Sequence, residues 1–175
     1  MAIGGTAVFT ALSEVIRRGS KDLSEFQGIT NRLSHIMKTS TGATDEQVKA
    51  LVDQAEAIEK LGVASKESIV NMQAQLATFD LQHDTISKLT PALTDYIIAE
   101  KGANATTDDF KQLTNGMAQA LNGNFASLTK VGFVLDDTTK KMISSGTEME
   151  RAEAITRVLD GTYKGFNASV AQTAE

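Results

Sequence analysis

One pattern recurs along this chain and limits what it can fold into. A Ser, Thr or Asp is followed by an acidic first turn, then by apolar residues three and four apart, then by a stop at Gly or Asn-Gly. Each part has a physical reason. The hydroxyl or carboxylate accepts from free N–H groups of the first helical turn, the acidic residues face the positive end of the helix dipole, and Gly takes the backbone out of the helix. Thr44-Asp45-Glu46-Gln47 reads as a capping box, with Val48, Leu51, Val52, Ala55 and Ile58 on one face before Leu61-Gly62. Ser65 caps a segment with a narrow stripe, Ile69, Met72, Leu76 and Phe79, and with Asn71, Gln73 and Gln75 on other faces, as for a helix with one packed partner. Asp84 opens a further segment with Ile86, Leu89, Leu93, Tyr96 and Ile97. Its Pro91 either takes the first position of a helix capped by Thr90 or kinks a longer one, so a break or kink is expected near Thr90.

Thr106-Thr107-Asp108-Asp109 starts the next helix, with Phe110, Leu113, Met117, Ala120 and Leu121 inward and Asn122-Gly123 as its stop. A short piece from Phe125 to Val131 leads through Gly132 to Phe133-Val134-Leu135, which reads as a buried connector. Asp137 or Thr138 begins a brief helix through Met142-Ile143, and Thr147-Glu148-Met149-Glu150 is another capping box, followed by the apolar residues Ile155, Val158 and Leu159, with Phe166 as a candidate to extend the stripe. At the front, Val8, Leu12, Val15 and Ile16 give one helix, and Leu23, Phe26, Ile29, Leu33, Ile36 and Met37 a second. Gly28 weakens the second by about 1 kcal/mol relative to Ala without forbidding it. The reading is all-α: about seven or eight short helices in an antiparallel bundle or small helical array. A helical entry segment spans 1–41, a helical module 42–166, and a polar end expected to fray 167–175. No strict repeat is visible, which disfavours a solenoid.

Composition supports this class and removes several functions. Trp and Cys are absent, Pro occurs once and aromatic residues make up 5%, so helices packed through Ala, Leu, Ile, Val and Met are expected rather than a β-sandwich or barrel. Without Cys there are no disulfides, Cys-based zinc sites or thiol chemistry, and a chain of 175 residues is long enough to hold itself by apolar burial alone. A net charge of -5 opposes non-specific attraction to nucleic acid, and Arg17-Arg18 and Lys140-Lys141 are too small to offset it. Ala2 to Ile16 is fairly apolar but carries Gly4, Gly5, Ser13 and Glu14 and lacks a basic start. It reads as neither signal peptide nor membrane span, and no other stretch is apolar enough to cross a bilayer, so the chain reads as soluble.

Chemistry-bearing residues are scattered. His35 lies beside an apolar stripe and His83 in an interhelical turn, and neither has a ligand partner at helical metal spacing. The carboxylates Asp45-Glu46, Glu67, Asp108-Asp109, Asp136-Asp137 and Glu148-Glu150 stand where helices start, which the helix dipole accounts for better than a glycosidase-like acid pair does. Asp80, Gln82 and Asp84 flank a turn, but the alternating ligands of a calcium loop are missing, and capping is the expected role. Gly4-Gly5 lacks the Lys-Ser/Thr of a phosphate loop, and the stretch from Gly123 to Gly132 lacks a dinucleotide fingerprint. The sequons at Asn104 and Asn167 matter only in a glycosylating compartment. Met72, Met117, Met142 and Met149 fall on apolar faces and are expected in the core, with a Met-bearing groove for a partner helix as the alternative. An enzyme reading would have to use acids such as Glu100 or Asp109. No catalytic, cofactor-binding or metal-binding residue is assigned.

From about Leu61 to Phe166, the order of segments resembles the helical region of tail tape measure proteins of long-tailed bacteriophages. The residues that carry the resemblance are Gly62-Val63-Ala64-Ser65-Lys66-Glu67, the run from Ala99 to Phe110, Met117-Ala118-Gln119-Ala120-Leu121-Asn122-Gly123-Asn124-Phe125, Leu128 to Phe133, Glu150-Arg151-Ala152-Glu153-Ala154 and Tyr163-Lys164-Gly165-Phe166. The most specific piece is the small-residue helix, Gly stop, short helix and second Gly of Ala118 to Gly132; Met1 to Thr41 carries no comparable signature. The resemblance implies a virion component inside the tail tube, made in the bacterial host cytoplasm, that fixes tail length during assembly and leaves ahead of the genome at infection. It also implies a longer whole protein, with contacts to copies of itself, three most naturally, and to tube proteins, tail tip proteins and tail assembly chaperones. A continuous helix of this length would span about 260 Å, but the Gly stops break it repeatedly, so a compact module is expected and not the extended ruler.

Overall fold

The computed structural model describes residues 5–130 and 132–173, with side chains described from residue 23 onward. The protein is all-α. Among the described residues there are nine helices and no strand: α1 (Gly5–Thr41), α2 (Asp45–Leu61), α3 (Lys66–Ala77), α4 (His83–Lys101), α5 (Thr107–Leu121), α6 (Ala126–Lys130), α7 (Asp137–Ser145), α8 (Glu148–Tyr163) and α9 (Phe166–Thr173). Helices two apart in the chain pack together, α1 on α3, α3 on α5 and α2 on α4, while α8 and α9 fold back along α4. The result is a small array with α3 and α4 at its centre.

The local signals place most helix starts. Thr44 with Gln47 and Thr147 with Glu150 form complete capping boxes, as does Thr106 with Asp109, and Ser65 accepts from the N–H of Ser68. The brief helix α7 starts at Asp137, with the Asp136 carboxylate accepting from Thr139 N. At the stop after α5, Gly123 takes φ +88, a left-handed conformation that a side chain would strain, with the carbonyls of Ile143 and Ser144 packed close by.

Several expectations are corrected. The two front helices are a single one, α1, about 55 Å long at 1.5 Å per residue. No Pro interrupts it, and a Gly inside a helix costs only about 1 kcal/mol. Leu33 and Met37 seat its second half in the core, with Phe26, Ile29 and Ile36 half-buried beside them. The expected stripe Val8, Leu12, Val15 and Ile16, and the pair Arg17-Arg18, lie outside the described side chains. Helix α3 is no single-partner helix. It touches α1, α2, α4 and α5, and Ser68, Val70, Ala74 and Ala77 are buried along with Ile69, Met72 and Leu76 of the stripe, while Phe79 lies just past the helix and is half-buried. Small residues let neighbouring helices approach on faces that a count of large apolar side chains leaves blank. Gln73 is fully buried there, its Nε2 donating to the Leu51 carbonyl at 2.9 Å.

Helix α4 runs unbroken through Pro91, so of the two readings of that Pro the longer helix is the one observed. The connector Phe133-Val134-Leu135 is buried only at alternate positions. Phe133 packs on the core and Leu135 is buried, whereas Val134 between them is 97% exposed, as an extended segment requires. Within the segment expected to fray, Phe166–Thr173 form α9, and Asn167 is itself buried.

Candidate functional site

Two helix starts are also served by side chains from other helices. Helix α4 begins after Gln82, whose side chain makes no capping bond; instead Glu148, on α8, accepts from Gln82 N at 2.8 Å. The capping role expected of Asp80 and Asp84 is therefore filled from another helix. Lys66 N at the start of α3 donates to Glu59 on α2 at 2.9 Å. Free N–H groups at a helix start need an acceptor, and a carboxylate there also meets the positive end of the dipole.

The most developed junction joins the α2–α3 turn, α4 and α9. The Asn167 carboxamide oxygen accepts from Val63 N at 2.9 Å and from Ala64 N at 3.0 Å. On the other side, Asp95 of α4 accepts from Gly165 N at 2.7 Å with one carboxylate oxygen and from Asn167 N at 2.9 Å with the other. Gly165 turns the chain from α8 into α9 at φ +78. Gly62 is needed for room rather than conformation: a Cβ built on it would overlap the Asn167 carboxamide. Four backbone donors are thus matched by the oxygens of two side chains.

Next to this junction lies an aromatic cluster. Tyr96 stands 5.7 Å from Phe133 and 5.3 Å from Tyr163, and Phe133 meets Tyr163 edge-on at 6.0 Å. Tilted and edge-on arrangements align ring edges with ring faces, the favoured geometry for such pairs. The Tyr163 hydroxyl donates to Glu100 across a long 3.5 Å. Burial, and then the Glu100 carboxylate, push the Tyr96 phenol up to about 12. The same two causes raise Tyr163.

The residues weighed from the sequence fall as follows. His35 is exposed on α1, and His83 is the first residue of α4, its Nδ1 2.8 Å from Asp84. Asp109 closes the α5 capping box. The Thr106 hydroxyl and N–H hold its carboxyl below the ordinary value, with Lys101 at 3.4 Å adding to the effect. Glu100 faces Tyr163 instead. Among the described residues no cluster of three or more His, Asp or Glu is gathered to hold a metal, and no helix is long and apolar enough to cross a membrane. Met72 and Met117 are buried in the core and Met142 is half-buried against it; Met149 is half-buried. The surface depressions lined by Asp108 to Asn115, by Lys88 and α8, by Phe133 and Tyr163, and by Glu25, Ile29 and Glu67 contain no Met.

Sequence reasoning missed Asp95, Asn167 and Glu148. Their partners are 72, 104 and 66 residues away, so no local spacing announces them. Comparison of the chain with protein-family models, with curated proteins and with solved structures gives no match in any of the three.

Proposed function

We propose that this chain is a structural module of a phage tail tape measure protein, a component of the tail-tube lumen that sets tail length during assembly and leaves ahead of the DNA. In this reading its partners are copies of itself, tube and tail-tip proteins and the assembly chaperones, and it carries out no reaction of its own. What supports the reading is where the residues carrying the resemblance lie. Gly62-Val63-Ala64, Glu100, Phe133 and Tyr163 with Gly165 come from four separate stretches, yet all meet in or beside the junction of α4 and α9. They close turns and pack rings, which is what a resemblance in architecture rather than in reaction chemistry would use. Buried residues from Leu33 to Leu159 belong to one core, in keeping with a compact module within a longer assembly protein.

The test is direct. Antibodies raised against this chain should detect it in disrupted tailed particles of the phage that encodes it, and should find it depleted from particles that have already ejected their DNA. Its absence from purified tailed particles would remove the proposal.

A further inference from the structure

The chain holds two Asn-Gly pairs, Asn115-Gly116 and Asn122-Gly123, and the fold treats them differently. In such a pair the backbone nitrogen of Gly, unshielded by a side chain, can attack the carboxamide carbon of the preceding Asn. The carboxamide nitrogen leaves as ammonia and a succinimide ring closes; water then opens the ring at either carbonyl, giving aspartate or isoaspartate. The reaction asks two things of a structure: a carboxamide free to turn, and a Gly nitrogen released from its hydrogen bond.

Asn115 offers neither. It stands inside α5, half-buried, and its Oδ1 accepts from Gln75 Nε2 of α3 at 2.8 Å. Gly116 N belongs to the helical hydrogen-bond ladder, and releasing it means opening a turn that carries the buried Thr114, Met117 and Ala118. Asn122 comes close to both. It is the exposed residue that caps α5, outside the helix at φ −82 and ψ 13, and its carboxamide makes no hydrogen bond among the described residues. Gly123 N is held by a single terminal bond, to the Ala120 carbonyl at 2.9 Å. The stop itself requires Gly there: φ is +88, and the carbonyls of Ile143 and Ser144 lie 3.4 Å from where a Cβ would stand. The geometry that ends α5 therefore also fixes the residue least able to shield Asn122.

We propose that Asn122 is a site of spontaneous deamidation in the folded chain, and that Asn115, with the same neighbour, is protected by the fold. This holds whether or not the chain belongs to a phage tail. Conversion adds a negative charge to a chain of net charge -5. The new carboxylate stands at the C-terminal end of α5, where the helix dipole disfavours it, next to the Leu121 carbonyl that accepts from Arg151 Nη1 at 3.1 Å. The isoaspartate product also adds a methylene to the backbone at the turn into α6.

The test keeps the full chain folded at pH 8 and 37 °C, with a second sample unfolded in urea, and follows both over days. Peptide masses report conversion of amide to acid, and fragment masses assign it to position 115 or 122. Methyl transfer from S-adenosylmethionine by an isoaspartyl methyltransferase counts the isoaspartate. In urea the two sites should convert at similar rates. In the folded chain Asn122 should convert more than about tenfold faster than Asn115, because reaction at Asn115 waits on local unfolding of α5. Asn122→Gln, which would have to close a larger ring, should remove the isoaspartate signal of the folded chain, and persistence of that signal overturns the proposal. So does an Asn122 that stays amide in the folded chain while converting in urea, or equal conversion of the two sites in the folded chain.

Discussion

At position 91 the pyrrolidine ring removes the N–H that would bond to the Ser87 carbonyl one turn earlier. The vacancy is filled from the side. Gln54 on α2 donates its Nε2 to the Ser87 carbonyl at 2.9 Å, and its own Oε1 lies 3.5 Å from Nε2 of the buried Gln73. The hydroxyls of Thr90 and Thr94 bond back to the carbonyls of Ile86 and Thr90 at 2.7 and 2.8 Å, satisfying themselves inside the helix. Gln54→Ala should therefore cost about 1–2 kcal/mol, because it strands a half-buried carbonyl. In a Pro91→Ala background the new backbone N–H takes that carbonyl, and the same substitution should cost about 1 kcal/mol less. Urea denaturation of the four chains of the cycle checks this, and additive effects would contradict it. A second prediction at this scale concerns Tyr96. Its phenol is raised from 10.0 to about 12, so the folded state holds a proton that the unfolded state releases. The stability it contributes is complete below pH 10 and is lost as the pH rises from 10 to about 12. In a Tyr163→Phe chain, tyrosine absorbance at 295 nm together with circular dichroism should show the Tyr96 phenolate appearing well above pH 10, whereas titration near pH 10 in a folded chain would contradict the packing.

Among the elements, two glycines separate space from conformation. Gly28 lies in the exposed part of α1 with nothing near an added Cβ, so Gly28→Ala should stabilise the chain by about 0.5–1 kcal/mol. Gly62→Ala should destabilise it by about 1–3 kcal/mol, by expelling the Asn167 carboxamide and stranding Val63 N and Ala64 N. Thermal melts order the two, and a neutral Gly62→Ala would deny the junction its tight fit. These positions also show how far the sequence was legible. Helix starts with their own Thr or Ser, at 44, 65, 106 and 147, are visible because cap and helix are neighbours in the chain. The helical class follows from those starts and from the apolar spacing after them. The junction was hidden, because Asp95 reads as one more polar residue on a helix and Asn167 as part of a tail until the fold brings them together. The single long α1 was hidden for another reason: a Gly and Ser at positions 19–20 weaken a helix without ending it.

For the molecule as a whole, the same helix starts set its response to acid. Backbone N–H donors hold Glu46, Asp136 and Glu150 below their ordinary values, and the Thr106 hydroxyl, then its N–H, does so for Asp109. Each carboxylate contributes stability that is present above the unfolded values of 4.5 for Glu and 3.8 for Asp and is lost as the pH falls through the lower folded ones. The urea midpoint should stay level from pH 7 to about 5 and fall below that; a rise in acid would contradict the caps. The junction has a consequence on a different clock. Residues 63 and 167 are separated by 104 positions, so a ribosome working at roughly 5–20 residues per second needs about 5–20 s between them. During that interval water must serve the Val63 and Ala64 amides, and a nascent chain already helical through α5 still lacks the residue that will seal its α2–α3 turn.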